Sequence, residues 1–126
     1  MFRTKIVAIN DLETDLINII QKNNPQYLSY IFNLKWREKT FKPNYKKHMY
    51  QRAKIVGNTI YLDSNFETVE KRNEVALHEL AHYIVDNKFG LRANPHDEKF
   101  FYVLSQLSGK DMKKYYSKKG VKLIDE

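Results

Sequence analysis

Residues 65–88 read NFETVEKRNEVALHELAHYIVDNK, a stretch with neither glycine nor proline. Val69, Ala76, Leu77, Leu80, Ala81 and Ile84 recur in it at the spacing that lines one face of an α-helix. The stretch predicts one long helix, closed by Phe89-Gly90 because glycine takes the backbone conformation of a helix end without steric cost. Inside it lies His78-Glu79-Leu80-Ala81-His82, the HExxH pattern. In a chain with 4 histidines, a chance match has an expectation on the order of 0.01. His78 and His82 stand one turn apart, with Cβ atoms about 5–6 Å from each other. Both imidazoles can therefore reach one zinc ion at about 2.0–2.1 Å. Glu79 is turned about 100° from His78 and about 60° from His82, so it can flank a water on the metal without being a ligand. Leu77, Leu80, Ala81 and Ile84 form the core stripe. His78 and His82, with Val75 and Val85, form a second stripe about a third of a turn away.

A catalytic zinc takes three protein ligands and leaves one position open. The expected third ligand is His96, which follows the stop at Gly90 and opens the next helix, so that a chain reversal can bring it back over the metal. Asp86, Asp97 and Glu98 are acidic alternatives. Asp97 is equally suited to orienting an imidazole or to a helix N-terminus. His48, set among Lys46, Lys47, Met49 and Tyr50, reads as a surface histidine.

Outward from this helix, Leu12, Leu16, Ile19 and Ile20 mark an amphipathic helix over Asp11 to Lys22, ended by Asn23-Asn24-Pro25. Tyr27 to Thr40, rich in Tyr, Ile, Phe and Trp, reads as a strand. Ala53 to Val56 and Thr59 to Leu62 flank Gly57-Asn58 and read as a hairpin. Asn94-Pro95 looks like the cap of a helix whose apolar side is Phe100, Val103, Leu104 and Leu107, with Gly109 closing it. The remainder, Lys110 to Glu126, is basic, with Val121, Leu123 and Ile124 as an edge strand or a frayed tail.

The chain of 126 residues is the size of one domain, and its 42% of hydrophobic residues suffices for a core. The fold expected is a small zincin-like α+β domain: a short, mostly antiparallel sheet packed against the HExxH helix, flanked by N- and C-terminal helices. No cysteine is present, which excludes thiolate zinc sites, disulfides and a thiol nucleophile. No apolar run approaches the roughly 18 residues of a membrane span, and charges fill the N-terminus where a signal peptide needs an apolar core. A soluble, cytoplasmic protein with no membrane partner is expected. Net charge is +7, with two concentrations. Lys35 to Lys54 holds eight Lys and Arg against one Glu, interleaved with Trp36, Phe41, Tyr45 and Tyr50, and Lys110 to Lys122 holds six Lys against one Asp. Cations with aromatics suit single-stranded nucleic acid, and the candidates are Lys35, Trp36, Arg37, Lys46, Lys47, Arg52 and Lys54. A solvated basic face explains the same composition equally well.

The HExxH segment, Lys88-Phe89-Gly90, and Pro95-His96-Asp97-Glu98-Lys99-Phe100 together resemble the SprT-like metallopeptidases, the SprT/Spartan family. The resemblance runs from about Ile60 to Leu107 and implies one catalytic domain over the whole chain. It implies zinc held by His78, His82 and His96, and Glu79 as catalytic base. Asp97 stands where the family commonly has glycine, and the cysteine zinc ribbon of many members is missing, which gives the look of a minimal form. The resemblance further implies hydrolysis of a protein or peptide substrate, including proteins crosslinked to DNA. Zinc on three neutral histidines acidifies a water and polarises a carbonyl, and Glu79 would carry the proton from the attacking water to the departing amine. Tyr83, Tyr102 and Tyr61 are candidates for a second electrophile at the oxyanion, among which the sequence does not choose. Two alternatives stand beside this: a non-catalytic nucleic-acid-binding domain with a structural zinc, and a DNA-independent protease for one partner.

Overall fold

A computed structural model describes residues 6–7, 9, 11–41, 52–90 and 96–119. Strand β1 (Ile6–Val7) precedes helix α1 (Leu12–Asn23). Leu12, Leu16 and Ile20, each one turn beyond the last, are its buried side. A 3₁₀ turn (Pro25–Tyr27) leads into the short helix α2 (Leu28–Phe32) and then strand β2 (Lys35–Lys39). The strand expected over Tyr27 to Thr40 is thus corrected to a helical segment followed by a shorter strand. The buried residues are Tyr27, Ile31 and Leu34, which is helical spacing, while Phe32 is 65% exposed. Aromatic content favours strands only where a pleated surface awaits it, and here burial on a helix face overrides it.

Strands β3 (Ala53–Val56) and β4 (Thr59–Asp63) form the expected hairpin, with Val56 opposite Thr59 and Gly57 at φ 60°. Positive φ at the first loop residue is what a two-residue turn with leading glycine uses. Strand order is β2-β4-β3, and β2 runs parallel to β4, with Lys35 opposite Thr59 and Lys39 opposite Asp63. The sheet is therefore mixed: its hairpin is antiparallel as expected, and its longer pairing is parallel. Its two faces differ. Ile60, Leu62 and Ala53 are buried, and Trp36 packs on the same core, while Lys35, Arg37 and Lys39 face outward.

Asn65–Phe66, expected to begin the long helix, instead forms β5 and pairs antiparallel with β1. Helix α3 spans Val69–Phe89 and starts where Thr68 Oγ1 accepts the Lys71 amide at 3.0 Å. Gly90 ends it at φ 77°. Helix α4 (Glu98–Ser108) buries Phe100, Val103, Leu104 and Leu107, the four residues its spacing marks. Its cap is Asp97, whose Oδ1 accepts the Phe100 amide at 3.1 Å. Asn94 and Pro95, expected to cap it, lie outside the described residues. A helix that the sequence reading lacks, α5 (Met112–Lys119), follows and buries Met112 and Tyr116. Val121, Leu123 and Ile124 lie outside the described residues. The helices and the inner sheet face share one core, with Leu16, Ile20, Ile60, Leu80, Ile84 and Leu104 fully enclosed. No helix among the described residues is long and apolar enough to cross a membrane.

Where α1 meets the end of α4, the Asn23 amide donates to the Leu107 carbonyl at 3.1 Å, satisfying one of the carbonyls a helix end leaves unpaired. Gly109, at φ 74°, closes that end, and a Cβ there would stand 2.5 Å from Asn23 Oδ1. Gly109→Ala should therefore lower stability by about 1–3 kcal/mol, from the left-handed backbone and the displaced Asn23. Urea unfolding measures it, and an unchanged midpoint would show that this junction does not hold α4.

Candidate metal centre

Helix α3 carries two functional stripes. Leu77, Leu80 and Ile84 turn into the core, and beside them Glu79 and His82 are also buried, with His78 half-buried. A lone amphipathic surface helix would leave that second stripe in water. Here α4 and α5 cover it, so both stripes are enclosed.

His96, immediately before the Asp97 cap of α4, lies against the HExxH turn. His78 Nε2 lies 3.2 Å from His82 Nε2 and 3.3 Å from His96 Nε2, and the His82 and His96 ring centroids are 4.8 Å apart. Three nitrogens around a tetrahedral zinc at about 2.0–2.1 Å stand about 3.3–3.4 Å from one another. The two separations from His78 Nε2 thus match what a zinc ion would impose, and the ligand atoms of all three imidazoles lie within 4.8 Å of one another. Among the described residues, this is the group of His, Asp and Glu side chains able to hold a metal, and it contains three ligands.

Phe100, fully buried in the first turn of α4, backs all three rings. Its centroid lies 4.9 Å from His78, 4.5 Å from His82 and 5.0 Å from His96, nearly parallel to the His82 ring at 28°. This apolar backing has an electrostatic consequence. Burial foremost, then the neighbouring His82 and His96, lower the His78 pKa to about 3, and burial followed by His96 lowers that of His82 to about 4. Both rings are neutral at any ordinary pH. A proton disfavoured by burial and by two neighbouring imidazoles competes poorly with a metal for the same lone pair.

The acidic alternatives for the third position have other places. Asp86 is exposed on the far part of α3, Asp97 caps α4, and Glu98 pairs with Lys113 of α5. The tyrosines considered for the oxyanion also lie elsewhere. Tyr83 meets Tyr30 edge-on at 6.3 Å, Tyr102 is 61% exposed and takes a hydrogen bond from Gln106, and Tyr61 sits on the outer sheet face under Lys39. The tyrosine that does reach the site is Tyr116, whose Oη is 3.4 Å from His78 Nδ1. It was missed because α5 was, and its only sequence signal is the spacing of Met112 and Tyr116 in an otherwise basic stretch.

The nucleic-acid candidates separate. Lys35, Arg37 and Lys54 share the outer sheet face with Lys39, and Arg37, Tyr61 and Lys54 form one cross-strand row. The Lys54 ammonium, by hydrogen bonding and by charge, pulls the Lys39 pKa below its ordinary value. Trp36 is on the opposite face and packs on the core, so it is no part of that surface. Arg52 donates to Glu67 at 2.8 and 3.1 Å, pairs with Asp63 at 3.4 Å and lies over the Phe66 ring at 4.3 Å. Lys46 and Lys47, like His48, lie outside the described residues.

A model of the SprT-like family matches residues 16–119, from the middle of α1 to the end of α5, so the chain belongs to that family. The match is wider than the stretch from Ile60 to Leu107 that carries the resemblance in sequence. Comparison with curated proteins and with solved structures gave no match.

Purified protein should bind one zinc per chain. His96→Ala should weaken binding by more than about 100-fold, the upper range for losing even an indirect support of a ligand. Competition against a chromophoric chelator measures this, and equal affinities would remove His96 from the site.

Proposed function

We propose that this protein is a zinc-dependent endopeptidase. The observation that carries the reading is the convergence of three histidine nitrogens, those of His82 and His96 at zinc-ligand separation from His78 Nε2, beside a helix that also presents a buried Glu79. A structural zinc is closed by four protein ligands, whereas three ligands among the described residues leave a position open to water and substrate. Membership of the SprT-like family supports the same reading. Zinc at this site supplies Lewis acidity, lowering the pKa of a water and polarising a substrate carbonyl.

The chain's own residues do the rest. His78, His82 and His96 hold the site through their ring nitrogens, with His78 and His82 kept neutral by burial. Glu79, adjacent to His78 and about 60° round the helix from His82, takes the proton of the attacking water on its carboxylate. It then returns that proton to the leaving amine, which lets one group serve as base and acid in succession. Phe100 excludes water from behind the rings and keeps their positions fixed.

Glu79→Gln should retain zinc and the fold yet cleave a denatured test protein at least about 100-fold more slowly. If the variant and the wild type cleave alike, or neither cleaves, the endopeptidase reading fails, and a binding domain with zinc as a structural ion takes its place.

For substrates we infer proteins bound or crosslinked to DNA. Lys35, Arg37, Lys39 and Lys54 lie side by side with Tyr61 among them, an outward surface of one sign with an aromatic face on which a base can stack. The wild type should bind single-stranded DNA with an affinity that falls steeply with salt. Arg37→Glu with Lys54→Glu should weaken it and flatten the slope of log K against log salt by about 0.7 for each lost phosphate contact. Cleavage unaffected by added DNA would favour a DNA-independent protease for one partner.

A further inference from the structure

Helix α5 closes over the back of the metal centre. Met112 N donates to Ser105 Oγ at 3.0 Å, Lys113 pairs with Glu98, and Met112 and Tyr116 are buried against α3 and α4. Tyr116 is the residue through which this helix meets the histidines. Its Oη lies 3.4 Å from His78 Nδ1, with the two ring centroids 6.2 Å apart.

Which edge of the imidazole it meets decides what it can do. All the short contacts among the three histidines are made through Nε2 of His78, so a metal lies on the Nε2 edge. Tyr116 is on the other edge, too far round the ring to face the open position and act on a substrate oxygen. Its reach is to His78 alone. When Nε2 gives its lone pair to a metal, the single proton of a neutral imidazole is on Nδ1. Nδ1 is then a donor, and a hydroxyl oxygen is the acceptor it needs.

We propose that Tyr116 is the positioning residue of His78: its Oη accepts the Nδ1–H, which holds the ring in the tautomer and orientation that aim Nε2 at the metal. This assignment rests on the reading of the three histidines as metal ligands. The hydroxyl oxygen has the lone pairs that an Nδ1–H donor needs. Next to it, Tyr115 Oη donates to Glu74 Oε2 at 3.4 Å, one turn before His78 on α3. Partners of this kind on ligating histidines fix the tautomer, and their removal weakens metal binding by about 10–100-fold. The consequence for the fold is that α5 is part of the metal centre.

Tyr116→Phe keeps the ring and its contacts with Phe101 and His78 while removing the oxygen. The expected result is a folded protein by circular dichroism with an affinity for zinc alone about tenfold lower. In isotope-labelled, metal-free wild type at neutral pH, long-range ¹H–¹⁵N spectra should show His78 protonated on Nδ1, and the variant should show a mixture of tautomers. An affinity within twofold of wild type together with an unmoved tautomer would overturn the assignment. Should the variant fail to fold, the wild-type spectrum decides: a proton on Nε2 overturns the assignment and a proton on Nδ1 supports it. Failure of the wild type to bind zinc would overturn the metal reading and this one together, whereas normal zinc binding with an unaffected variant overturns this one alone.

Discussion

Three imidazoles gathered against an apolar ring, with the Nε2 atoms of His82 and His96 at 3.2 and 3.3 Å from His78 Nε2, are the constraint on which the other parts of this structure depend. Nothing local to one helix can enforce it. HExxH spacing brings two rings together, but the third comes from the start of α4, and its position is only as good as the packing of α4 on α3. That packing is secured at both ends. At its beginning Asp97 caps the helix and Phe100 is wedged behind the rings. At its far end Asn23 bonds the Leu107 carbonyl, and Tyr27 Oη and Asn24 Nδ2 both donate to Gln106 Oε1, at 2.7 and 3.2 Å. The N-terminal helix, remote from the histidines in sequence, thus helps to set where His96 sits.

Burial has two effects at this centre that work in the same direction. It excludes water, which strengthens electrostatic interactions there, and it suppresses protonation of His78 and His82, which leaves their lone pairs available. A more solvated triad would bind a proton near neutral pH and lose that advantage. The sheet divides labour in a comparable way. One face, through Ile60 and Leu62, builds the core under α3, and the other, through Lys35, Arg37, Lys39 and Lys54, carries a positive field outward. Strand alternation makes both from the same few residues, which is why Trp36 belongs to the core although its neighbours are cations.

Much of this was legible because it is periodic. The α4 side formed by Phe100, Val103, Leu104 and Leu107, the hairpin around Gly57-Asn58 and the α1 side of Leu12, Leu16 and Ile20 follow from spacing and turn chemistry alone. The misreadings fell where composition and spacing disagreed or where little spacing existed. Tyr27 to Phe32 has the residues of a strand and the burial pattern of a helix. The segment of α5 offers only Met112 and Tyr116 amid lysines, and its stability comes from docking on α3 and α4 rather than from its own amphipathicity.

By itself the sequence determined that a long helix presents His78, Glu79 and His82 on adjoining positions, and that no thiolate could share in a metal site, because helical geometry and the presence or absence of a residue are local facts. Only the tertiary structure decided how closely His96 approaches, that Phe100 backs the rings, that Tyr116 meets His78 from behind and that β2 lies parallel to β4. Those depend on contacts between segments far apart in the chain, and such contacts are fixed by how whole faces pack rather than by the order of residues within any one of them.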